Sequence, residues 1–489
     1  MKFDLFNINN KLYDNSMSEF LCDRCGGTFT KETYARHLKR KILCKNINSF
    51  NVIETIYINN KDIRKNLSDY LISSEKEKKL FDEYLTPASL VDELIYQIPK
   101  EFFYSPKKVF EPCAGKGNIL LALFDAFFIG LEDYCNDVIE RCRIIIEECL
   151  YFADINDENI NFIKKILIYH IQSYSGITLD YKMNYYCGDS LLLKSENIWN
   201  VKHFDCIISN PPFNVSQKYK NKKKRGGGNS LWKKFILKSI NEWLIIDGYM
   251  IMIHPSGWRK PGSSGSKYDG LFKLLAIDNQ MIYLNMNSHT TGTKVFNCST
   301  NFDWYIIQKR ESYQNTTVCD YNDNIIKINM KDWKFLPNYN IKKVSELLCD
   351  KETENCNILY DRSNYGGEQK WVQKIKDNKH VFPLIHSTPK KGPVYYYSSR
   401  DDNGHFKIGK VIFGDSGINS SILDIEGKYG MTHHAMALID EEKYLASIKD
   451  AIDSKEFTEL LRCCSWSNYQ IDWRLFLYLR RDFWKYIHT

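Results

Sequence analysis

The chain has 489 residues, enough at roughly 100 to 200 residues per domain for two to four domains, and its 67 Lys+Arg against 60 Asp+Glu leave a net charge of +7. That mild excess permits a nucleic-acid partner without demanding one. A hydrophobic fraction of 43% with only 25 Gly and 12 Pro excludes collagen-like and wholly disordered chains. The longest apolar stretch, Ile119 to Leu131, is broken by Asp125 and falls short of the roughly 20 residues of a membrane span, so no membrane partner is expected. The N-terminal MKFDLFNINN lacks the apolar core of a secretory signal. This predicts an intracellular protein whose 15 Cys are thiols or metal ligands rather than disulfides. Its abundance of Asn, Lys, Ile and Tyr, residues with AT-rich codons, fits an AT-rich source such as a large DNA virus acting in an infected host cell.

Residues 1–46 hold one tight set of soft donors. Cys22 and Cys25 stand in a Cys-x2-Cys turn relieved by Gly26 and Gly27, His37 follows on a helical stretch, and Cys44 closes the set. Four such ligands suit a tetrahedral structural zinc ion, and Phe20, Phe29 and Leu38 supply a minimal core. The unit resembles a C2HC variant of the C2H2 zinc finger. Its last interval, six residues from His37 to Cys44, exceeds the usual interval of about three to five, so the helix must end before Cys44. A lysine-rich connector, residues 47–80, leads to the middle zone.

From Lys108 to Arg310, β-branched and aromatic runs alternate with helical patterns, the signature of βα units around a mostly parallel sheet. Strands are predicted to end at Phe110, Ala153, Cys187, Ser209, Ile253, Asn287 and Gln308. KKVFEPCAGKGNILLAL gives a strand, a turn in which Ala114, Gly115 and Gly117 let the backbone approach a ligand, and an apolar helix. No Gly-Lys-Ser/Thr follows, which excludes a P-loop, and Leu120 stands where a dinucleotide fingerprint needs its third glycine. With Glu111 ending the strand, a cationic, amino-acid-bearing cofactor suits the loop better than a pyrophosphate. Asp154 is placed at the next strand tip to take two ribose hydroxyls, and Asp189, at the third, to take an adenine amino group.

FDCIISNPPFN ends an apolar strand in Asn210, Pro211, Pro212 and Phe213. The prolines lack N–H groups, so their carbonyls and the Asn side-chain oxygen can accept from an exocyclic amine as it becomes tetrahedral, and the Phe ring can stack on an extruded base. Lys220, Lys222, Lys223, Lys224 and Arg225 follow at once and could neutralise phosphates of double-stranded DNA; a plain solvated loop is the alternative. Beyond Arg310 the pattern becomes irregular and aromatic, with Lys390, Lys391, Arg400, His433 and His434 as further cations near Tyr395, Tyr396 and Tyr397. Asp361 with Glu368, Gln369 and Lys370 only loosely fits a nuclease pattern.

The ordered segments YLTP (Tyr84 to Pro87), EPCAGKG, DIN, GD, NPPF and DGYMIMIHPSGW (Asp247 to Trp258) resemble the gamma-class adenine-specific DNA methyltransferases over about half of the chain. The resemblance implies an α/β, Rossmann-like seven-strand sheet at residues 81–310 and a C-terminal α+β target-recognition domain at 311–489. It also implies transfer of a methyl group from S-adenosylmethionine to adenine N6, in a setting where a separate restriction endonuclease can be a partner. Thr86 and Pro87 with Glu111, Ala114 and Gly115 would hold the methionine part, Asp154 the ribose, Asp189 the adenine ring, and Asn210 to Phe213 the target base. The 43 residues between Glu111 and Asp154 call for a helical insertion at Leu131 to Cys149, or else for Glu132 as the ribose acid; Asp154 is favoured. Methylation of RNA or of a protein glutamine, and a DNA-binding protein with a decayed enzyme domain, are the competing readings.

Overall fold

The computed structural model describes residues 20–21, 28–29, 84–214, 230–262, 269–350, 352–417, 420–466 and 471–487. Cys22, Cys25, His37 and Cys44, and the cations Lys220, Lys222, Lys223, Lys224 and Arg225, lie outside the described residues. The chain divides into two compact units, Met1–Ile245 and Ile246–Thr489.

In the first unit a short antiparallel pair, β1 (Phe20–Leu21) with β2 (Thr28–Phe29), flanks the sequence that holds Cys22 and Cys25. Helix α1 (Ala88–Tyr96) follows the Tyr84–Pro87 segment and buries Leu90, Val91 and Leu94, the stripe of an amphipathic helix. Four parallel strands, β3 (Val109–Glu111), β4 (Leu150–Asp154), β5 (Asn184–Cys187) and β6 (Phe204–Ser209), lie in the order β6-β3-β4-β5. Every residue of β3 and β4 is buried, as expected of parallel strands covered on both faces. Under the tips of β3 and β6, Phe110 stacks on Phe204 at 4.9 Å and meets Trp243 edge-on at 5.0 Å.

Helix α2 (Asn118–Gly130) is apolar around most of its circumference and buries Ile119 to Phe124 and Phe127, the mark of a core helix. After it, α3 (Val138–Ile144) and one π-helical turn (Ile145–Cys149) fill the long interval before β4. The insertion is therefore real, and Glu132 is an exposed residue just past the end of α2 rather than a strand tip. Helix α4 (Asp157–Ser175) begins at Asn156, whose Oδ1 accepts the Glu158 N–H at 3.2 Å, and carries Asp157 and Glu158 at its positive end. Asp125 ties α2 to α4 by pairing with His170 Nε2 at 2.6 Å and accepting the Tyr174 hydroxyl at 2.8 Å.

The second unit takes in nearly all of β7 (Leu244–Pro255), then β8 (Gln280–Asn287), β9 (Phe302–Gln308), β10 (Thr316–Cys319) and β11 (Ile325–Ile328), in the order β11-β10-β8-β9-β7. Strand β9 runs antiparallel to both β7 and β8, while β10 is parallel to β8. All seven strand ends read from the sequence fall in strands, and two further strands, β10 and β11, follow the expected boundary at 310/311. The hairpin β10–β11 lies past that boundary and extends the sheet from β8. Arg259, fully buried, forms a fork on Asp303 (Nε–Oδ2 2.7 Å, Nη2–Oδ1 3.1 Å) and also donates to the Leu336 and Pro337 carbonyls and to Asn338 Oδ1. The Trp258 indole N–H donates to the same Asp303 carboxylate at 2.7 Å.

Farther along, β12 (Asn357–Leu359), β13 (Val372–Gln373), β14 (Phe382–Ser387), β15 (Val394–Ser398), β16 (Lys410–Gly414), β17 (Ile422–Asp424), β18 (Gly430–Met431) and β19 (Ala435–Ile439) form two four-stranded sheets, β12-β19-β16-β17 and β13-β15-β14-β18. Helices α5 (Glu442–Asp453) and α6 (Lys455–Cys463) bury Leu445, Ile448, Phe457 and Leu460 in one core with Val411 and Phe413. This region is α+β.

Candidate functional site

The strand order β6-β3-β4-β5 reverses direction at β3: the chain steps outward to β4 and β5, then returns to place β6 on the other side of β3. Such a switch point opens a crevice at the carboxyl ends of the strands, where α/β sheets bind ligands. Glu111, Asp154 and Asn210 stand at the carboxyl ends of β3, β4 and β6, and Asp189 just past β5. The parallel register thus brings together all four residues at the same edge. Burial pushes the pKa of the Cys113 thiol well up, with Asp154, Glu111 and Asp189 adding to the rise.

The turn after β3 is fixed from within. Gly115 and Gly117 adopt φ of +53° and +84°, where an L side chain is strained, and a Cβ on Gly117 would press to 3.1 Å from Ile163. Ala114 N–H donates to the Ala153 carbonyl at 2.9 Å, Gly117 N–H to the Ala114 carbonyl at 2.8 Å, and Gly115 N–H to Asp154 Oδ2 at 2.8 Å. With these three N–H groups satisfied by protein, the loop is not an anion cradle. Two links that the sequence did not reveal brace it further: the Ser190 hydroxyl donates to the Pro112 carbonyl at 2.6 Å, and Lys116 Nζ to Asn159 Oδ1 at 2.7 Å.

Asp154 is engaged through both of its carboxylate oxygens. Its Oδ1 accepts from Asn156 N–H at 2.8 Å and Asn159 Nδ2 at 3.2 Å, its Oδ2 accepts from Gly115, and the residue is 8% exposed. A carboxylate oxygen has two lone-pair sites, so Oδ1 is filled and Oδ2 retains one. Asp154 thus braces the glycine turn against β4 while Oδ2 retains an acceptor site. Burial raises its pKa, and the three donors oppose the rise. The apolar Ile155 beside it is 44% exposed, a surface feature the strand pattern did not single out. Asp189 is exposed and uses Oδ1 to cap Leu191 N–H at 2.9 Å.

Glu111 has the opposite environment. It is 2% exposed, its Oε2 meets no hydrogen-bond donor, and burial followed by the Asp154 charge holds its pKa well above the usual carboxylate range. Unpartnered buried carboxylate oxygens are costly and rare in folded proteins. A site built around one calls for a cation.

Asn210 lies half-buried at the end of β6, with Pro211 buried and Pro212 and Phe213 half-buried after it. Its Nδ2 donates to the Tyr84 carbonyl at 3.3 Å and to Thr86 Oγ1 at 3.2 Å. Because a backbone carbonyl can only accept, these bonds fix which end of the amide is nitrogen and leave Oδ1 as an acceptor on the other side. Thr86, expected to hold a cofactor, is buried and directs its hydroxyl to Asn210; its carbonyl accepts from Asn118 Nδ2 at 2.8 Å. Pro87 is the half-buried residue before α1. Immediately past Phe213, Asn214 pairs with Ser230 and the Phe213 carbonyl accepts Leu231 N–H.

In the second unit, Lys390 and Lys391 are exposed, whereas Arg400 is committed to a fork on Asp402 at 2.6 and 2.8 Å. Asp361 caps its own turn through Oδ1, which accepts from Ser363 and Asn364. His433 and His434 lie beside His386, which stacks on Tyr396 at 4.1 Å. Among the described residues no group of His, Cys, Asp or Glu could hold a metal ion. The 12 cysteines among them are free thiols, and no helix among them is long and apolar enough to cross a membrane.

The chain has an α/β methyltransferase-like fold. Residues 148–296, under a third of the chain, match the family model described as Eco57I restriction-modification methylase. The structure of the type IIL restriction-modification enzyme MmeI in complex with DNA shares the fold at a TM-score of 0.52 and 10% identity, covering 86% of this chain and 70% of that one. A Listeria monocytogenes protein assigned to the class I S-adenosylmethionine-dependent methyltransferases aligns at 17% identity (TM-score 0.37), over 54% of this chain and 75% of that one. The M protein of the type I restriction enzyme EcoKI aligns at 14% identity (TM-score 0.35), over 50% of this chain and 49% of that one. No curated protein matches the chain.

Proposed function

We propose that this chain transfers a methyl group from S-adenosylmethionine to the N6 amino group of an adenine extruded from double-stranded DNA. The observation that supports it most is the orientation of Asn210: its amide N–H groups are held by Tyr84 and Thr86, and Oδ1 remains to accept. An adenine N6 amine has two hydrogens and becomes tetrahedral as it attacks. Asn210 Oδ1 and the Pro211 carbonyl would accept those hydrogens more strongly in that state than in the planar one, which is where stabilisation lowers a barrier. Phe213 would stack on the base, and the surplus proton leaves to solvent.

The cofactor fits the residues present. Glu111 Oε2, buried and without a donor, would pair with the cofactor's amino group, Asp154 Oδ2 would accept one ribose hydroxyl, and Asp189 would take the adenine amine. S-adenosylmethionine supplies an electrophilic methyl group when bound. DNA as substrate is supported by the restriction-modification family model and by the fold shared with MmeI, whose structure holds DNA. The cations Lys220, Lys222, Lys223, Lys224 and Arg225 would meet phosphates, since Asn214 and Ser230, which bracket them in sequence, pair beside the base-binding tetrapeptide. In this reading residues 1–46 bind one structural zinc ion through Cys22, Cys25, His37 and Cys44, whose three thiolates and one imidazole suit tetrahedral zinc. A separate restriction endonuclease would be its counterpart.

The test is tritiated-methyl transfer from S-adenosylmethionine to unmethylated duplex DNA, RNA and protein side by side. Label in DNA alone is expected. Label confined to RNA or protein would replace this reading with its nearest rival, and none in any would favour a decayed enzyme.

A further inference from the structure

The hydroxyl of Thr86 is buried in the first unit but does not satisfy a backbone group of its own turn; it accepts from the side chain of Asn210, 124 residues away in sequence. The Thr86 carbonyl is held in turn by Asn118, the first residue of α2 and the neighbour of Gly117. One residue therefore touches the helix that carries the cofactor turn with its backbone and the acceptor amide with its side chain. An Asn side chain on a strand end has two nearly isosteric orientations, and the flipped one would present N–H donors to an incoming amine, a repulsive arrangement. The Tyr84 carbonyl selects against the flip with one bond, and Thr86 Oγ1 supplies the second.

We propose that Thr86 is a positioning residue that pins the Asn210 amide in the orientation the Tyr84 carbonyl selects, with its oxygen toward the target amine, registered to the cofactor turn through Asn118. The proposal rests on the methyl-transfer reading above, and it gives the hydroxyl a task different from holding the cofactor's methionine part. Placement errors of this kind cost turnover rather than binding, because the ground state makes little use of the acceptor.

The test uses the full-length protein, with isothermal titration for S-adenosylmethionine affinity and single-turnover methyl transfer to duplex DNA. Thr86→Val, which keeps the shape and removes the hydroxyl, should lower the transfer rate about 10-fold at saturating cofactor, the scale of one lost hydrogen bond, while leaving cofactor affinity within about 2-fold. Thr86→Ser should recover most of the rate. Asn118→Ala should lower it in the same direction by less. Combined with Asn210→Ala, Thr86→Val should have almost no additional effect, since it acts through that amide. A Thr86→Val protein with weakened cofactor binding and unchanged saturated rate would overturn the proposal, as would effects that multiply with Asn210→Ala. If the wild type transfers methyl groups and Thr86→Val matches it, only the positioning role fails; if the wild type transfers none, the role falls together with the function. Thermal midpoints of each variant, expected within a few degrees of wild type for Thr86→Ser and Asn118→Ala, keep a folding defect in Thr86→Val from passing as a catalytic one.

Discussion

Two buried carboxylates, one in each unit, set a structural brace beside the acid proposed to bind the cofactor. Asp303 is fully buried and completely answered: Arg259 forks onto both its oxygens and the Trp258 indole adds a third donor. Glu111 is nearly as buried, yet one of its oxygens has no donor at all. Burial pushes both pKa values up, but at Asp303 the guanidinium opposes the rise, whereas at Glu111 the nearby Asp154 charge adds to it. The same residue class at the same depth is thus stabilised in one place and left wanting a cation in the other. Burial alone does not mark a functional acid; a missing partner does.

The largest expected effect breaks the satisfied member. Asp303→Ala leaves the Arg259 charge buried without a counter-ion and should cost about 3–5 kcal/mol of stability, seen as a drop in denaturant midpoint. Glu111→Gln should do the reverse. A carboxylate whose folded pKa is raised contributes stability below its unfolded pKa and loses it as pH climbs through the raised value. The glutamine variant, which never ionises, should therefore be at least as stable as wild type without cofactor, with an advantage that grows toward alkaline pH, while S-adenosylmethionine affinity falls about 10-fold or more by calorimetry. Stability lost in Glu111→Gln, with cofactor affinity retained, would erase the contrast between the two acids.

A smaller effect sharpens the comparison. If Glu111 must ionise to receive a cationic amine, cofactor affinity should rise with pH through its raised pKa, and binding should release protons. Titrations in two buffers of different ionisation enthalpy measure this directly, and Glu111→Gln should flatten the dependence. The smallest effect on the catalytic edge is expected from the N-terminal region: removing residues 1–46 should eliminate one equivalent of zinc by elemental analysis and weaken DNA binding, with cofactor affinity unchanged.

Much of this edge was legible because local chemistry wrote it. Glu111, Asp154 and Asn210 each follow an apolar run that could only be a buried parallel strand, and Gly115 and Gly117 stand where positive φ is needed. What the sequence hid is how these residues answer one another. Nothing local announces that Gly115, 39 residues earlier, donates to Asp154, or that Asn210 donates to Thr86 from farther away. Hydrogen bonds across such separations leave no spacing signature. The β10–β11 hairpin was hidden for a related reason: it follows the turn after Gln308 yet returns to β8, a pairing that no local pattern announces. The Arg400–Asp402 fork, by contrast, joins residues only two apart and was visible in principle.

The account's central claim is chemical: the amide of Asn210 accepts from an adenine amine. Its most direct test is nucleoside analysis by mass spectrometry of duplex DNA incubated with wild-type protein and S-adenosylmethionine, beside the same DNA incubated with Asn210→Ala. Wild type should yield N6-methyladenine and no methylated cytosine, and Asn210→Ala should yield it about 100-fold more slowly or less, with cofactor affinity nearly intact. Methyl groups found on cytosine, or N6-methyladenine formed at the wild-type rate by Asn210→Ala, would contradict it.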